Sequence, residues 1–202
     1  MLQELYEYAQ RNSLTARPGF RPLRPKVYVL LSASGGFIGV DPGPEREVMC
    51  PDIGSMANGP SKCNIFVEKS EILLEENRKQ KREFMVSALR EGAAQEPRFG
   101  LVADAIESLE ILKEIEEALS DNKIKKSEKI GWKIDGLPLE RGLEENDCFC
   151  RWWDDFRSGL KGGVKDATQK RCLITGALTE PVSTVPKAKG FSRWEVIPAG
   201  TR

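Results

Sequence analysis

The sequence contains no histidine. Without an imidazole, the chain can hold neither a Ser-His-Asp nor a Cys-His nucleophilic system, and it can form no zinc site that needs histidine ligands. Long apolar runs are also missing, since the longest is Val27–Leu31, far short of the roughly 18–20 apolar residues that span a membrane. The first residues carry early acids and no secretory signal pattern. These absences predict a cytoplasmic protein with no membrane association.

The cysteines are few, and their spacing is irregular. An odd count of five without a regular pattern indicates reduced thiols and argues against a disulfide framework. Four of them could in principle form a tetrahedral zinc site, but neither pair has the Cys-x2-Cys spacing of zinc ribbons. These four are Cys50, Cys63, Cys148 and Cys150. We favour ordinary buried thiols and predict no metal and no cofactor.

Carboxylates offer the remaining route to catalysis. Asp154 and Asp155 form a doublet beside two tryptophans, and Asp41 and Asp52 lie earlier in the chain. A metal-dependent nuclease needs carboxylates that converge from separate elements, whereas neighbours on one helix point apart. We therefore predict no catalytic residue and keep a nuclease as a minor alternative.

Hydrophobic periodicity predicts an α+β fold of short antiparallel strands with three or more packed helices. The predicted strands are 27–31, 37–40, 48–50, 64–67, 130–134 and 171–175. The predicted helices are 2–12, 75–91, 101–120 and 146–160. Residues 17–26, rich in proline and arginine, are predicted to form an extended loop.

Charge is balanced overall, with 31 Lys and Arg against 31 Asp and Glu, but it is segregated along the chain. Basic clusters lie at 17–26, 78–82, 123–133 and 187–193, and the predicted helix 101–120 is acidic. Lysine and arginine clusters are typical of phosphate-contacting surfaces, and asparagine can read adenine. The candidate nucleic-acid-binding residues are Arg24, Lys26, Lys62, Asn64, Lys123, Lys125, Lys126 and Lys187. Taken alone, solvated charged faces explain such clusters equally well.

Nine short motifs follow one another in order along residues 1–190. They are LQELYEY at 2–8, RPGF at 17–20, GGFIGV at 35–40, KCN at 62–64, DNKIK at 121–125, IDG at 134–136, WWDDFR at 152–157, RCLITG at 171–176 and EPVSTVPK at 180–187. In content, order and spacing the chain resembles the N-terminal part of the large subunit of the type I-C CRISPR surveillance complex, Cascade.

The resemblance implies a non-catalytic subunit that binds nucleic acid. In such complexes the guide RNA reads the target by base pairing, and protein reads a short flanking motif (the PAM) in the DNA duplex. The implied partners are the backbone subunits of Cascade, the CRISPR RNA and the target double-stranded DNA. The implied full complex also recruits a helicase-nuclease.

The resemblance also implies a domain organisation. Residues 1–190 are expected to form the N-terminal domain, and 191–202 form a divergent or frameshifted tail that does not continue the expected glycine-rich pattern. Family members carry a further mixed region and a C-terminal helical bundle. The alternative function is a structural protein-interaction module that uses the acidic helix and the aromatic face at 152–156, without reading DNA directly.

Overall fold

The computed structural model of the chain describes residues 17–160, Glu4 and two short strands, Lys170–Arg171 and Leu178–Thr179. Several sequence-based predictions lie outside the described residues: the helix 2–12, strand residues 172–175, Cys172, Lys187, the domain boundary at 190 and the tail 191–202.

The chain divides into two compact units. One is Ala9–Gly163, and the other combines Met1–Tyr8 with Val164–Arg202. In the second unit, the described part is an antiparallel pair in which Lys170 faces Thr179. All features discussed below belong to the first unit.

Residues 17–160 form an α+β fold, which confirms the predicted class. The strands in chain order are β1 (Phe20–Leu23), β2 (Val27–Leu31), β3 (Phe37–Pro42), β4 (Val48–Pro51), β5 (Glu68–Lys69), β6 (Lys129–Ile134) and β7 (Leu137–Pro138). The helices are α1 (Glu71–Leu74), α2 (Lys79–Gly92), α3 (Arg98–Glu107), α4 (Leu109–Asp121) and α5 (Asp147–Leu160). Short 3-10 turns occupy Gly54–Asn58 and Glu76–Arg78.

The main sheet has the strand order β3-β2-β6-β5, with β7 paired to β6. Strand β2 is central and apolar, and four of its five residues are buried, as its continuous hydrophobic run predicts. The predicted hairpin with β3 is confirmed, and its turn is closed by the Ser32 amide, which donates to the Gly36 carbonyl at 2.8 Å. Strands β1 and β4 form a separate antiparallel ribbon.

One pairing departs from the predicted antiparallel arrangement. Strands β2 and β6 are parallel, with Val27 opposite Ile130 and Leu31 opposite Ile134. Parallel neighbours need a long crossover, and here the chain between the hairpin and β6 supplies it through helices α1 to α4. The periodicity of each strand carries no information about this direction, since it depends on the path of the intervening chain.

The prediction of one helix over 101–120 is wrong in one respect. The structure has two helices there, α3 and α4, separated at Ser108. Ser108 has an extended backbone, and its Oγ accepts a hydrogen bond from the Ile111 amide at 3.3 Å. Serine caps a helix better than it continues one. The break also moves Leu109 off the predicted apolar face, and its side chain is 76% exposed.

Three further boundaries differ from the predictions. Residues 64–67 are buried but irregular, and the strand β5 follows them. The predicted helix 75–91 begins only at Lys79, after a separate turn. The predicted loop 17–26 contains β1. Among the described residues, no helix is both long and apolar enough to cross a bilayer.

The core is centred on an aromatic cluster that joins helix α5 to the rest of the unit. Phe66 makes edge contacts with Phe99, Phe149 and Trp153, at centroid distances of 5.1, 6.0 and 5.8 Å. Helix α5 starts as predicted, because Asn146 Oδ1 accepts from two amides of its first turn. The aromatic motif at 152–157 therefore faces the core.

Candidate nucleic-acid interface

An open cleft of about 780 Å³ lies where the β1–β4 ribbon, the irregular segment 64–69 and the helices α1, α2 and α5 meet. Its lining includes six cationic side chains, each from a different element or turn: Arg21, Lys69, Arg78, Lys81, Lys129 and Arg157. Three acids also line it: Asp52, Glu68 and Glu71. We call this the basic cleft. Positive charge in a concave surface attracts polyanions more strongly than the same charge on a flat one.

Two lysines of the basic cleft face each other across neighbouring strands. Lys69 of β5 and Lys129 of β6 are direct partners in the antiparallel register. Like charges at such positions destabilise a sheet. Among the described residues, the ion pair made by either lysine joins Lys69 Nζ to Glu71 Oε1 at 3.9 Å, and the lysine side chain stays 47% exposed. So long a pair offsets little of this repulsion.

Two of the three arginines of the basic cleft are positioned by contacts inside the unit. Arg78 Nη2 lies 3.2 Å from Glu71 Oε1, and Arg157 Nη1 lies 3.8 Å from Asp154 Oδ1. In both guanidinium groups the Nε atom is buried and has no acceptor among the described residues. Buried polar atoms usually have hydrogen-bond partners, so two buried donors without an acceptor are an unusual feature of this cleft.

Gly19 allows Arg157 to reach the basic cleft. Its φ is +86°, and a Cβ at this position would lie 2.7 Å from Cζ of Arg157, so the guanidinium occupies the space that a side chain would need. The Gly19 carbonyl accepts two hydrogen bonds, from the Asp52 amide at 2.8 Å and from Trp153 Nε1 at 2.9 Å. The motif at 17–20 thus anchors β1 to helix α5.

Two predicted site residues make internal contacts. Asn64 lines the basic cleft but is only 8% exposed, and its Oδ1 accepts from the Ile53 amide at 3.2 Å. Lys62 lies outside the cleft lining, and its Nζ donates to the carbonyl of Leu160 at 2.7 Å, at the end of α5. A cation there complements the helix dipole. Their nucleic-acid contacts stay predictions.

Other predicted cations gather at a second opening, of about 580 Å³. Arg24 and Lys26 line it together with Pro44 and the turn at 122–124. We call this the second cleft. Lys123 lies in that turn with a φ of +56° and is exposed, as are Lys125 and Lys126 just after it. The structure therefore brings Arg24 and Lys26 to the turn that contains Lys123, and Lys125 and Lys126 follow that turn in the chain.

None of the six cations of the basic cleft is among the residues predicted from the sequence to bind nucleic acid. Four of them nevertheless lie within the predicted basic clusters: Arg21, Arg78, Lys81 and Lys129. Lys69 and Arg157 lie outside those clusters, on two distant elements. An isolated cation on an element gives no run or spacing for a sequence pattern to detect.

The buried cysteines have the contacts of core thiols. Cys50, Cys63 and Cys150 are buried, and their Sγ atoms lie within hydrogen-bond distance of backbone carbonyls. Burial raises the pKa of all three, that of Cys63 to about 12, which keeps them protonated and unreactive. Within the described part of the chain, no group of three or more Cys, Asp or Glu is placed to hold a metal ion.

The carboxylates considered for a nuclease do not converge. Asp41 pairs with Lys133, Asp52 accepts from the Gly54 amide, and Asp154 lies near Arg17 and Arg157. Asp155 is exposed on helix α5. These four carboxylates come from separate places in the unit or point away from one another on α5, so they form no converging acid pair.

Glu140 is the most deeply buried carboxylate near the sheet. It accepts a hydrogen bond from the Tyr28 hydroxyl, and its second oxygen has no partner among the described residues. Burial raises its pKa above the usual range, although the Tyr28 bond and the nearby charges of Lys133 and Arg98 oppose this. The folded state therefore binds this proton more tightly than the unfolded chain does.

This linkage gives a pH prediction. Ionised Glu140 destabilises the fold at neutral pH, and the penalty disappears as pH falls through its raised pKa. Glu140→Gln is expected to increase the free energy of unfolding at neutral pH, with a difference from wild type that shrinks in acid. Urea denaturation across pH measures this, with exposed Glu145→Gln as the control. A difference that does not change with pH would contradict it.

Comparison with known proteins adds no identification. The sequence matches no protein-family model and no functionally curated protein.

Proposed function

We propose that this chain is a non-catalytic, nucleic-acid-binding subunit of a type I-C CRISPR surveillance complex, and that its basic cleft contacts the DNA duplex flanking the target. The proposal joins the ordered motifs of the sequence to one structural observation. Six cations that are scattered over more than a hundred residues of chain line a single cleft.

The balance of charge in the basic cleft supports phosphate binding. Six cations outnumber three acids, and Arg21, Lys81 and Lys129 have no acidic partner among the described residues. Phosphate contacts fix the register of a protein on DNA, whereas base contacts supply sequence reading. The basic cleft suits the first role, and Asn64 in its wall, buried and with its Oδ1 already bonded to Ile53, is the candidate for the second.

The arginine side chains of the basic cleft favour the same ligand. Arginine donors match phosphate oxygens in geometry and charge. Arg78 and Arg157 line the same opening, each with one buried donor that has no acceptor in the described part of the chain. Their Nε atoms are buried, so a DNA backbone in the basic cleft would be contacted by the partly exposed remainder of the two side chains.

The test is a fluorescence-anisotropy titration of a labelled duplex over a range of salt concentrations. The site variant Arg21→Ala/Lys69→Ala/Lys129→Ala removes three cleft cations, and the matched control Arg46→Ala/Lys113→Ala/Arg141→Ala removes three exposed cations that line neither cleft. Each lost phosphate contact lowers the slope of log affinity on log salt by about one. We expect the site variant to lose roughly 2–3 from that slope and at least about tenfold in affinity.

The control separates cleft binding from general attraction. Equal losses for the two triple variants would mean that only net charge matters and would overturn the assignment of the cleft. Absence of duplex binding by the wild-type chain would overturn the proposed function itself. Circular dichroism of both variants checks that the fold is retained.

A protein-interaction module remains the second candidate function. One observation favours it: helix α4 exposes Leu109 beside an acidic surface. The predicted aromatic face contributes less, because Trp153 is fully buried and Trp152 and Phe156 stack on each other at 5.3 Å against the core. Co-purification with Cascade backbone subunits and guide RNA, without duplex binding, would favour this function.

A further inference from the structure

The second cleft has its own cations, held at its rim by backbone contacts. Arg24 Nε donates to the Pro44 carbonyl at 3.0 Å, which holds its guanidinium at the rim. Lys26 is exposed and has no ion-pair partner among the described residues. The one acid in the lining, Asp41, is already paired with Lys133. The second cleft is therefore positively charged in its own right.

One backbone hydrogen bond links a residue of each cleft. The Lys26 amide donates to the Lys129 carbonyl at 2.7 Å, so a residue of the second cleft is bonded to a residue of the basic cleft. The segment 122–129 runs between them, from the turn at 122–124 to Lys129. It is fastened beside α1, since the Glu71 amide donates to the Lys126 carbonyl at 3.0 Å.

Three exposed lysines lie along this connecting segment. They are Lys123, Lys125 and Lys126. The nearest acidic residues neutralise little of the positive charge of these lysines. Glu128 accepts from the backbone amide of Lys125, and Glu116 lies 3.8 Å from Lys126 Nζ with both side chains more than half exposed, a pair of small energy.

Free carbonyl groups at a helix C-terminus repel an anion, but at the C-terminus of α4 these carbonyls are hydrogen-bonded. Its last carbonyls are occupied, because Lys123 and Ile124 donate their amides to Ser120 and Leu119 at 2.9 Å each. The side chain of Asn122 donates to the Ala118 carbonyl at 2.8 Å. The partial negative charge of the helix end is thereby satisfied within the turn.

We infer that the basic cleft, the segment 122–129 and the second cleft form one path that binds a single continuous polynucleotide backbone. The inference rests on the proposed function and extends its site. None of the described residues lining either cleft is an exposed aromatic side chain. Backbone contact without base stacking makes this binding salt-dependent and tolerant of sequence.

The experiment compares single DNA strands of two lengths, about 6 and about 25 nucleotides, with the full chain. The second-cleft variant is Arg24→Ala/Lys26→Ala/Lys123→Ala, and the control is again Arg46→Ala/Lys113→Ala/Arg141→Ala. For the long strand we expect one strand per chain, about a tenfold loss of affinity in the second-cleft variant, and a salt slope smaller by about 2. For the short strand, held by the basic cleft alone, we expect little change.

The outcomes distinguish this inference from the proposed function. Equal losses for both lengths, or two long strands per chain, would mean separate sites and would overturn the path. A second-cleft variant that matches the control, while the basic-cleft variant still weakens binding, would overturn the path and leave the proposed function intact. Failure of the wild-type chain to bind either strand or duplex would overturn both.

Discussion

Replacing Phe66 by alanine is expected to lower the free energy of unfolding by about 3–5 kcal/mol. Phe66 is 1% exposed and makes edge contacts with three aromatic rings from helices α3 and α5. Removing the ring leaves a cavity that these rings cannot fill, and it forfeits the aromatic pair contacts. Because Phe66 lies in an irregular segment, no backbone ladder of its own compensates for the loss.

Urea denaturation followed by tryptophan fluorescence measures this change, since Trp132 and Trp153 are buried in the same core. Phe66→Leu is expected to cost less, because it keeps most of the apolar volume. Ile38→Ala serves as the control, because Ile38 is 63% exposed and its loss should cost little. A loss below about 1 kcal/mol for Phe66→Ala would show that the aromatic cluster does not hold helix α5 in place.

Gly19→Ala has the second large expected effect, because it combines two penalties. A non-glycine residue at a φ of +86° costs on the order of 1–2 kcal/mol. The new methyl group would also enter the space of the Arg157 guanidinium. We expect the free energy of unfolding to fall by about 2–4 kcal/mol in total, together with weaker duplex binding, since Arg157 must leave its place in the basic cleft.

Two comparisons separate these penalties. Gly142→Ala places the same residue at a φ of +79° with no neighbouring atom within 4 Å, so it reports the backbone strain alone. In a double-mutant cycle, Arg157→Ala is expected to relieve part of the cost of Gly19→Ala. Equal costs for Gly19→Ala and Gly142→Ala would show that Arg157 moves aside freely and that Gly19 does not position it.

Local patterns predict several elements well. The apolar run of β2, the turn that follows it and the aromatic periodicity of α5 each depend on residues close in sequence, and each is found where predicted. The prediction for helix 101–120 was wrong because its apolar spacing continues through Ser108, whereas a capping hydrogen bond ends the run there. Hydrophobic periodicity gives no sign of a side-chain hydrogen bond that ends a helix, such as the one between Ser108 and the Ile111 amide.

For the candidate site too, some features could be predicted from the sequence and others could not. Lys62 and Asn64 lie two positions apart in the sequence and are predicted to contact a DNA groove, yet their side chains bond to Leu160 and Ile53. Arg24 and Lys26 are far in the sequence from Lys123, yet they line one cleft with the turn that contains it. The identity of each residue is local information, but the partner of each side chain is not.

By itself, then, the sequence determines the α+β class, most of the strands and the presence of enough cationic residues to bind a polyanion. Its lack of histidine excludes the catalytic systems that depend on an imidazole. The tertiary structure alone decides the parallel pairing of β2 with β6, the burial of Trp153 and the meeting of distant cations at two clefts. The physical reason is that hydrophobic periodicity follows from neighbours along the chain, whereas an electrostatic surface depends on which elements the core brings together. In this protein, the packing around Phe66 and Gly19 brings helix α5 together with the elements that carry the other cations of the basic cleft.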